Sequence, residues 1–123
     1  MTDVLLRNRW ARWGLVLLWM AVIFFLSSQS TLPSFTNTWA DWLQDVAGHF
    51  IAYGVLAAML WWALTGSGVS RPALWALLIV LLYALSDEYH QSFVPGRHPD
   101  PFDIATDLAG AVVAERKIGP VRE

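Results

Sequence analysis

The stretch VAGHFIAYGVLAAMLWWALT, residues Val46 to Thr65, decides the fold of this chain. About 20 residues at a rise of about 1.5 Å match a hydrocarbon core of roughly 30 Å, so the stretch predicts a membrane-spanning helix. It ends at GSG, where a turn is expected. The next apolar stretch begins at SRP, with Ser70 as the expected N-cap and Pro72 in the first turn. The two stretches therefore predict a tight helical hairpin.

The whole chain shares this apolar character. It has 123 residues, of which 56% are hydrophobic and only 15% are charged. That composition is too apolar for a water-soluble domain of this size. The formal charge of -2 does not indicate a nucleic-acid partner, and the absence of cysteine excludes disulfides, thiolate metal sites and a cysteine nucleophile. We therefore expect an integral membrane protein.

Four helices are expected, at about residues 10–28, 46–65, 71–91 and 102–117. The first follows a basic segment, as in a signal peptide, but no small-x-small cleavage motif follows it, so we interpret it as a retained helix. The fourth is short, and its two carboxylates, Asp103 and Asp107, are expected to point into the bundle. The predicted fold class is all-α: a polytopic membrane four-helix bundle formed by one domain over residues 1–123.

Lysine and arginine predict the orientation of this bundle. The two connections expected at the other side, Ser28 to Asp45 and Gln91 to Asp100, contain Arg97 as their single lysine or arginine. By the positive-inside rule, both termini are then cytoplasmic. The basic residues expected on the cytoplasmic side are Arg7, Arg9, Arg12, Arg71, Arg116, Lys117 and Arg122.

Polar side chains are aligned at the helix ends that we expect to face outward. His49 and Tyr53 are four residues apart, and so are Asp103 and Asp107, which places each pair on one helix face. Polar stripes at membrane depth are costly unless they satisfy one another or have a function. We therefore predict one pocket, with His49, Asp87, His90, Arg97 and Asp103 as catalytic candidates and Gln29, Tyr53, Glu88, Gln91 and Asp107 as binding candidates.

Five of the candidates also have a purely structural interpretation. His49 alone would more often be a packing histidine, Asp87 and His90 could pair at a helix end, and Glu88 could be a solvated loop residue. Asp103 could cap the fourth helix. No recognised metal-binding motif is present, so no metal or other cofactor is expected. A divalent ion held by Asp87, His90, Asp103 and Asp107 is the weaker alternative.

At these residues the sequence resembles the VanZ-like family of small bacterial membrane proteins. The matching pieces occur in the family's order: FFLSSQS at 24–30, HFIAYGVLA at 49–57, YALSDEYHQSFVPGR at 83–97, and the acidic pair followed by Gly110. The resemblance implies a four-helix, multi-pass domain in the bacterial plasma membrane. It also implies a link to the cell envelope, because the namesake is associated with resistance to the glycopeptide antibiotic teicoplanin.

Three functions are compatible with these residues. The first is an envelope protein whose outward pocket binds or modifies a lipid-linked or cell-wall anionic group, with Arg97 as the anion ligand. The second is a membrane-embedded hydrolase or transferase for phosphoryl or acyl groups, with His49 or His90 as general base or nucleophile. The third is a packing subunit of a membrane assembly. The expected partners are the lipid bilayer and a lipid-linked envelope precursor or a phospholipid, with no nucleic acid.

Overall fold

The computed structural model describes residues 2–29, 38–97 and 99–118. Within these ranges the regular structure is helical, which confirms the predicted all-α class. A short helix precedes four long ones. The elements are α1 (Thr2–Arg7), α2 (Arg9–Ser27), α3 (Thr38–Gly66), α4 (Pro72–Gln91) and α5 (Pro101–Ile118).

Three of the long helices are candidate membrane spans. By length and composition, α2, residues Leu43–Gly66 of α3, and α4 could each cross a bilayer. α5 is not in this group, because charged residues near both of its ends lower its hydropathy. The chain is therefore a polytopic helical membrane protein, and α5 is its least apolar long helix.

Contacts between the helices define an alternating path through the bundle. Nη1 of Arg12 donates to the Trp62 carbonyl at 2.8 Å and Nε1 of Trp19 to the Ala52 carbonyl at 3.0 Å, so α2 runs antiparallel to α3. α4 is also antiparallel to α3. α5 runs parallel to α3, because its first half lies beside the Phe50 region and its later residues lie further along α3. The start of α2 and the end of α5 therefore lie at the same end of the bundle.

α5 packs more extensively on α3 than any other pair of helices does. The backbones approach closely at Gly110, where an added Cβ would collide with the Phe50 carbonyl oxygen. An added Cβ at Gly54 would lie 3.2 Å from the Gly110 carbonyl oxygen. The two glycines thus allow the backbones of α3 and α5 to come into direct contact. Small residues have this role in the packing of membrane helices.

The buried core follows α3 along its length. The largest fully buried side chains include Tyr53, Leu56 and Leu60 from α3, packed with Val16 from α2 and Val80 from α4. The apolar side chains on the outer faces of α2 and α4 are exposed, as expected for helices that face lipid. The core therefore sits on one side of each helix, and the buried polar residues other than Glu115 gather at one end of it.

Two helix starts differ from the expected ones. α3 begins at Thr38, eight residues earlier than predicted, since Asp41 lies in its first turn, where a carboxylate is favoured by the helix dipole. Asp45 is therefore helical and not part of a loop. At the start of α4 the N-cap residue is Arg71 and not Ser70; its φ of 54° is left-handed, and no side chain caps the helix. Pro72 occupies the first helical turn, as predicted.

Candidate functional site

A cavity of about 540 Å³ opens at the polar end of the bundle. Helices α2, α3 and α4 form its walls, and the segment between α4 and α5 closes one side. It brings together five predicted site residues: His49, Tyr53, Asp87, Gln91 and Arg97. The other lining residues are Ile23, Leu26 and Ser27 of α2; Asp41, Gln44, Asp45, Gly48 and Ala52 of α3; and Gly96.

His49 lies among three carboxylates at the α3 side of the cavity. Its Nδ1 is 2.7 Å from Oδ1 of Asp107, which is fully buried in α5. Its Nε2 is 3.8 Å from Oδ1 of Asp45 and 3.8 Å from Oδ2 of Asp103. The imidazole is thus held through one nitrogen by Asp107, while the other nitrogen faces two further carboxylates. Asp103 and Asp107 contact His49 but do not line the cavity.

Tyr53 and Asp87 form a second pair, one helical turn from His49. The Tyr53 hydroxyl donates to Oδ2 of Asp87 at 2.9 Å, and both side chains are buried. The Tyr53 and His49 rings are nearly parallel, with their centroids 6.3 Å apart. A buried carboxylate needs such a donor, because an unpaired one is costly away from water. The pair joins α3 to α4 at the floor of the cavity.

Arg97 reaches the cavity from the segment between α4 and α5. Its Nε donates to the Gln29 carbonyl at 2.7 Å and its Nη2 to the Leu26 carbonyl at 2.9 Å. A cation at these carbonyls is favoured by the dipole of α2, which ends there. Gly96, with a φ of 82°, provides the left-handed turn before Arg97. These bonds engage two of the five guanidinium donors.

Gln29 takes part in this arrangement through its backbone. Its side-chain Nε2 donates to the Phe25 carbonyl of α2, the helix that it follows, at 3.1 Å. The predicted binding role of its amide therefore finds no support in the geometry. Its carbonyl serves as an anchor for Arg97 instead.

His90 lies apart from the cavity. Its ring stacks on Phe24 with centroids 4.2 Å apart, and its Nε2 is 3.4 Å from the Ser28 hydroxyl. Successive helical residues are about 100° apart, so His90 projects away from its neighbour Gln91, which does line the cavity. The structure thus places the two predicted histidines on different helix interfaces.

Glu88 is buried, contrary to the interpretation of it as a solvated loop residue. It belongs to α4, its exposed fraction is 7%, and its Oε2 accepts a hydrogen bond from the Asp100 amide at 2.8 Å. Because the chain enters α5 at this point, Glu88 connects α4 to the start of α5. It does not line the cavity.

The structure does not bring together the four residues that the sequence suggested as an alternative metal site. Asp87 is paired with Tyr53 and His90 packs against α2, so these two do not join Asp103 and Asp107 in one set of ligands. Asp45, His49 and Asp103 do converge: one ligand atom from each lies within 4.8 Å of the others. Sequence reasoning missed Asp45, although it lies four residues before His49 on the same helix face.

Comparison with known proteins identifies the family. A search of curated proteins gave no match, and neither did a search of solved structures. The family model described as VanZ/LLP1 matches residues 12–114, a range that contains every residue lining the cavity. Since this match covers most of the chain, and three helices are candidate spans, the chain belongs to the VanZ/LLP1 family of membrane proteins.

Proposed function

We propose that this protein binds the anionic head group of an envelope lipid or lipid-linked molecule in the cavity. The observation that carries the proposal is that one cavity is lined by both apolar and ionisable side chains. Ile23 and Leu26 are among the apolar lining residues, and His49 and Arg97 are among the ionisable ones. An amphiphilic ligand likewise combines apolar and charged groups. A volume of about 540 Å³ lies in the ordinary range for small-ligand sites.

Arg97 is the anion-binding candidate. It is the only lysine or arginine among the residues that line the cavity. A guanidinium binds phosphate or carboxylate through two parallel hydrogen bonds, which favours arginine over lysine at such sites. Its two bonds to α2 carbonyls hold the guanidinium in place before a ligand arrives. A fixed donor loses less conformational freedom on binding than a mobile one.

Lipid binding by the purified protein tests this proposal. The protein would be reconstituted in nanodiscs, and binding of a fluorescent phosphatidic acid, a simple lipid phosphate, would be titrated. We expect Arg97→Gln to weaken binding at least tenfold and Arg97→Lys to retain part of it. Arg71→Gln is the matched control, because Arg71 lies at the opposite end of the bundle from the cavity. Equal binding by all four proteins would overturn the proposal.

Stability has to be measured beside binding, since Arg97 also caps α2. Thermal unfolding of the same samples separates the two effects. A loss of binding in Arg97→Gln protein that unfolds like the wild type assigns the loss to the ligand contact. In cells, altered teicoplanin susceptibility on deletion, restored by the wild type and not by Arg97→Gln, would connect the site to the envelope.

A second candidate function is modification of the bound group, and the His49–Asp107 contact favours it. A histidine whose Nδ1 is held by a buried carboxylate offers Nε2 as a general base, an arrangement that recurs in hydrolases. Phosphate release from lipid phosphates would test it. We expect release by the wild type and His90→Gln but not by His49→Gln, since His90 lies outside the cavity. No release by the wild type, or equal release by both variants, would reject this function.

A further inference from the structure

More carboxylates than cationic side chains line the cavity, which is unfavourable for binding an anion. Its lining includes the carboxylates of Asp41, Asp45 and Asp87 against the side chains of His49 and Arg97. Asp103 and Asp107 lie directly behind His49 and add further acidic groups. An anionic head group would therefore meet more carboxylates than cations, unless a cation occupies the acidic side.

We propose that Asp45, His49 and Asp103 bind a divalent transition-metal ion, with Zn²⁺ as the best match. The inference deepens the proposed function, because the ion would supply the positive charge that an anionic head group needs in this cavity. Imidazole nitrogen selects zinc-like metals over magnesium or calcium, and carboxylate oxygens are accepted by the same metals. A three-ligand set leaves coordination positions open, as in catalytic zinc sites.

The spacing of the three ligand atoms is close to that of a metal site. His49 Nε2 lies 3.8 Å from an oxygen of Asp45 and 3.8 Å from an oxygen of Asp103. Ligand atoms around tetrahedral zinc, at bond lengths of about 2.0–2.1 Å, are about 3.3 Å apart. The two distances from His49 Nε2 exceed this value by roughly half an ångström, and the three ligand atoms all lie within 4.8 Å of one another. α3 supplies two of the ligands and α5 the third.

The orientation of His49 suits this role. Asp107 holds Nδ1 at 2.7 Å and leaves Nε2 directed at Asp45 and Asp103. Metal-binding histidines nearly always have their second ring nitrogen bonded to a carboxylate, a carbonyl or water. Asp107 is therefore assigned as a positioning residue and not as a ligand. With Nε2 bound to metal, His49 could not also act as the general base.

Buried carboxylate oxygens without hydrogen-bond donors are a second observation that favours a bound cation. Two buried carboxylate oxygens, Oδ2 of Asp107 and Oε1 of Glu88, have no hydrogen-bond partner among the described residues. Asp107 is 0% exposed, and the orphaned oxygen belongs to the carboxylate that holds His49. Each carboxylate is partnered through its other oxygen, by His49 or by the Asp100 amide. The remaining buried oxygens are costly without a donor, and a bound divalent ion is the largest local charge that could offset them.

Zinc uptake by the purified protein, with no lipid ligand added, tests the inference. Protein stripped with a chelator would be loaded with ZnCl₂, and the bound metal would be measured by mass spectrometry and by competition with a chromophoric chelator. We expect about one zinc per chain and at least a tenfold loss of affinity in Asp45→Asn, His49→Gln and Asp103→Asn. Asp107→Asn should weaken binding about 10- to 100-fold, the usual effect of such a positioning residue.

Two matched variants serve as controls. Asp41→Asn changes another carboxylate of the cavity, one helical turn before Asp45, and His90→Gln changes the histidine outside it. Both should bind zinc like the wild type. Asp45→Asn is the decisive variant, because its side chain is 41% exposed and the change should not prevent folding. In addition, Co²⁺ bound to the wild type should show the visible absorption of a low-coordinate site.

The outcomes separate this inference from the proposed function. Absence of stoichiometric zinc in the wild type, or zinc affinity in Asp45→Asn equal to that of Asp41→Asn, would overturn the metal site. Zinc binding without lipid-phosphate binding would leave the metal site and reject the proposed function. Lipid-phosphate binding by protein that takes up no zinc would reject the metal site and leave the proposed function.

Discussion

Nδ1 of His49 and Oδ1 of Asp107 lie 2.7 Å apart and join α3 to α5 across 58 positions of sequence. Asp107 is fully buried, so this contact replaces the solvation that its carboxylate loses. α5 is not apolar enough to be a candidate span. The polar contact and the glycine approach therefore both contribute to holding it on α3.

Removing the carboxylate of Asp107 should destabilise the protein. We expect Asp107→Leu to lower the free energy of unfolding by about 3 kcal/mol, because His49 loses a buried partner. Asp107→Asn keeps the shape and one acceptor oxygen, so it should cost about 1 kcal/mol. Reversible unfolding in detergent would measure both. Equal stability of Asp107→Leu and the wild type would show that the contact contributes nothing.

The hydroxyl of Tyr53 should matter through Asp87. Tyr53→Phe leaves the buried Asp87 carboxylate without this donor, and we expect a loss of about 1–3 kcal/mol. Tyr89→Phe is the matched control, since Tyr89 is 70% exposed. Thermal unfolding of the two variants side by side gives the comparison. If both unfold together with the wild type, the buried pair is not a stabilising interaction.

A methyl group at Gly110 should separate α3 from α5. Gly110→Ala places a Cβ against the Phe50 carbonyl oxygen, and the backbone cannot yield as a side chain can. We expect the free energy of unfolding to fall by at least about 2 kcal/mol, which is near the upper end of the usual range for overpacked cores. Gly14→Ala is the control, because nothing lies within 4 Å of the added Cβ. It should be neutral or stabilising by up to about 1 kcal/mol, as alanine favours helices. The reverse order of stabilities would contradict this packing.

The orientation of the bundle stays a prediction from the arginine and lysine pattern. The structure places the start of α2 and the end of α5 at one end, which requires that both lie on the same side of the membrane if all four helices cross it. We expect that side to be the cytoplasm. Reporters fused to each terminus would measure it, with a fusion in the 92–97 segment as the opposite-side control. A C-terminal reporter active only outside the cytoplasm would contradict the prediction.

The helices could be predicted from sequence because apolar length and turn residues are local signals. Val46 to Thr65 lies wholly within α3, and Pro72 begins α4. The start of α3 could not be placed, since residues 38–45 carry too little apolar pattern to distinguish a helix from a connection. Because a helix that starts at residue 46 leaves Asp45 in a loop, the sequence did not identify Asp45 as a neighbour of His49.

The sequence could show that the polar residues lie at the same end of the bundle, but not which of them share a pocket. Spacing within one helix does not show which neighbouring helix each face contacts. Asp87, His90 and Gln91 share an i, i+3, i+4 pattern. His90 nevertheless packs against α2, whereas Asp87 and Gln91 line the cavity. The burial of Glu88 likewise depends on where the chain enters α5. Arg122, which is expected on the cytoplasmic side, lies outside the described residues.

The parallel packing of α5 on α3 has a consequence for biogenesis. α5 emerges from the ribosome after α3, and it is not apolar enough to be a candidate membrane span. We therefore expect α5 to enter the bilayer as a partner of α3, where Gly110 and Asp107 find their contacts. Insertion of α5 would then be coupled to assembly. A substitution on the α3-facing side of α5 should therefore place the C-terminus on the wrong side of the membrane, and loss of activity would follow from that.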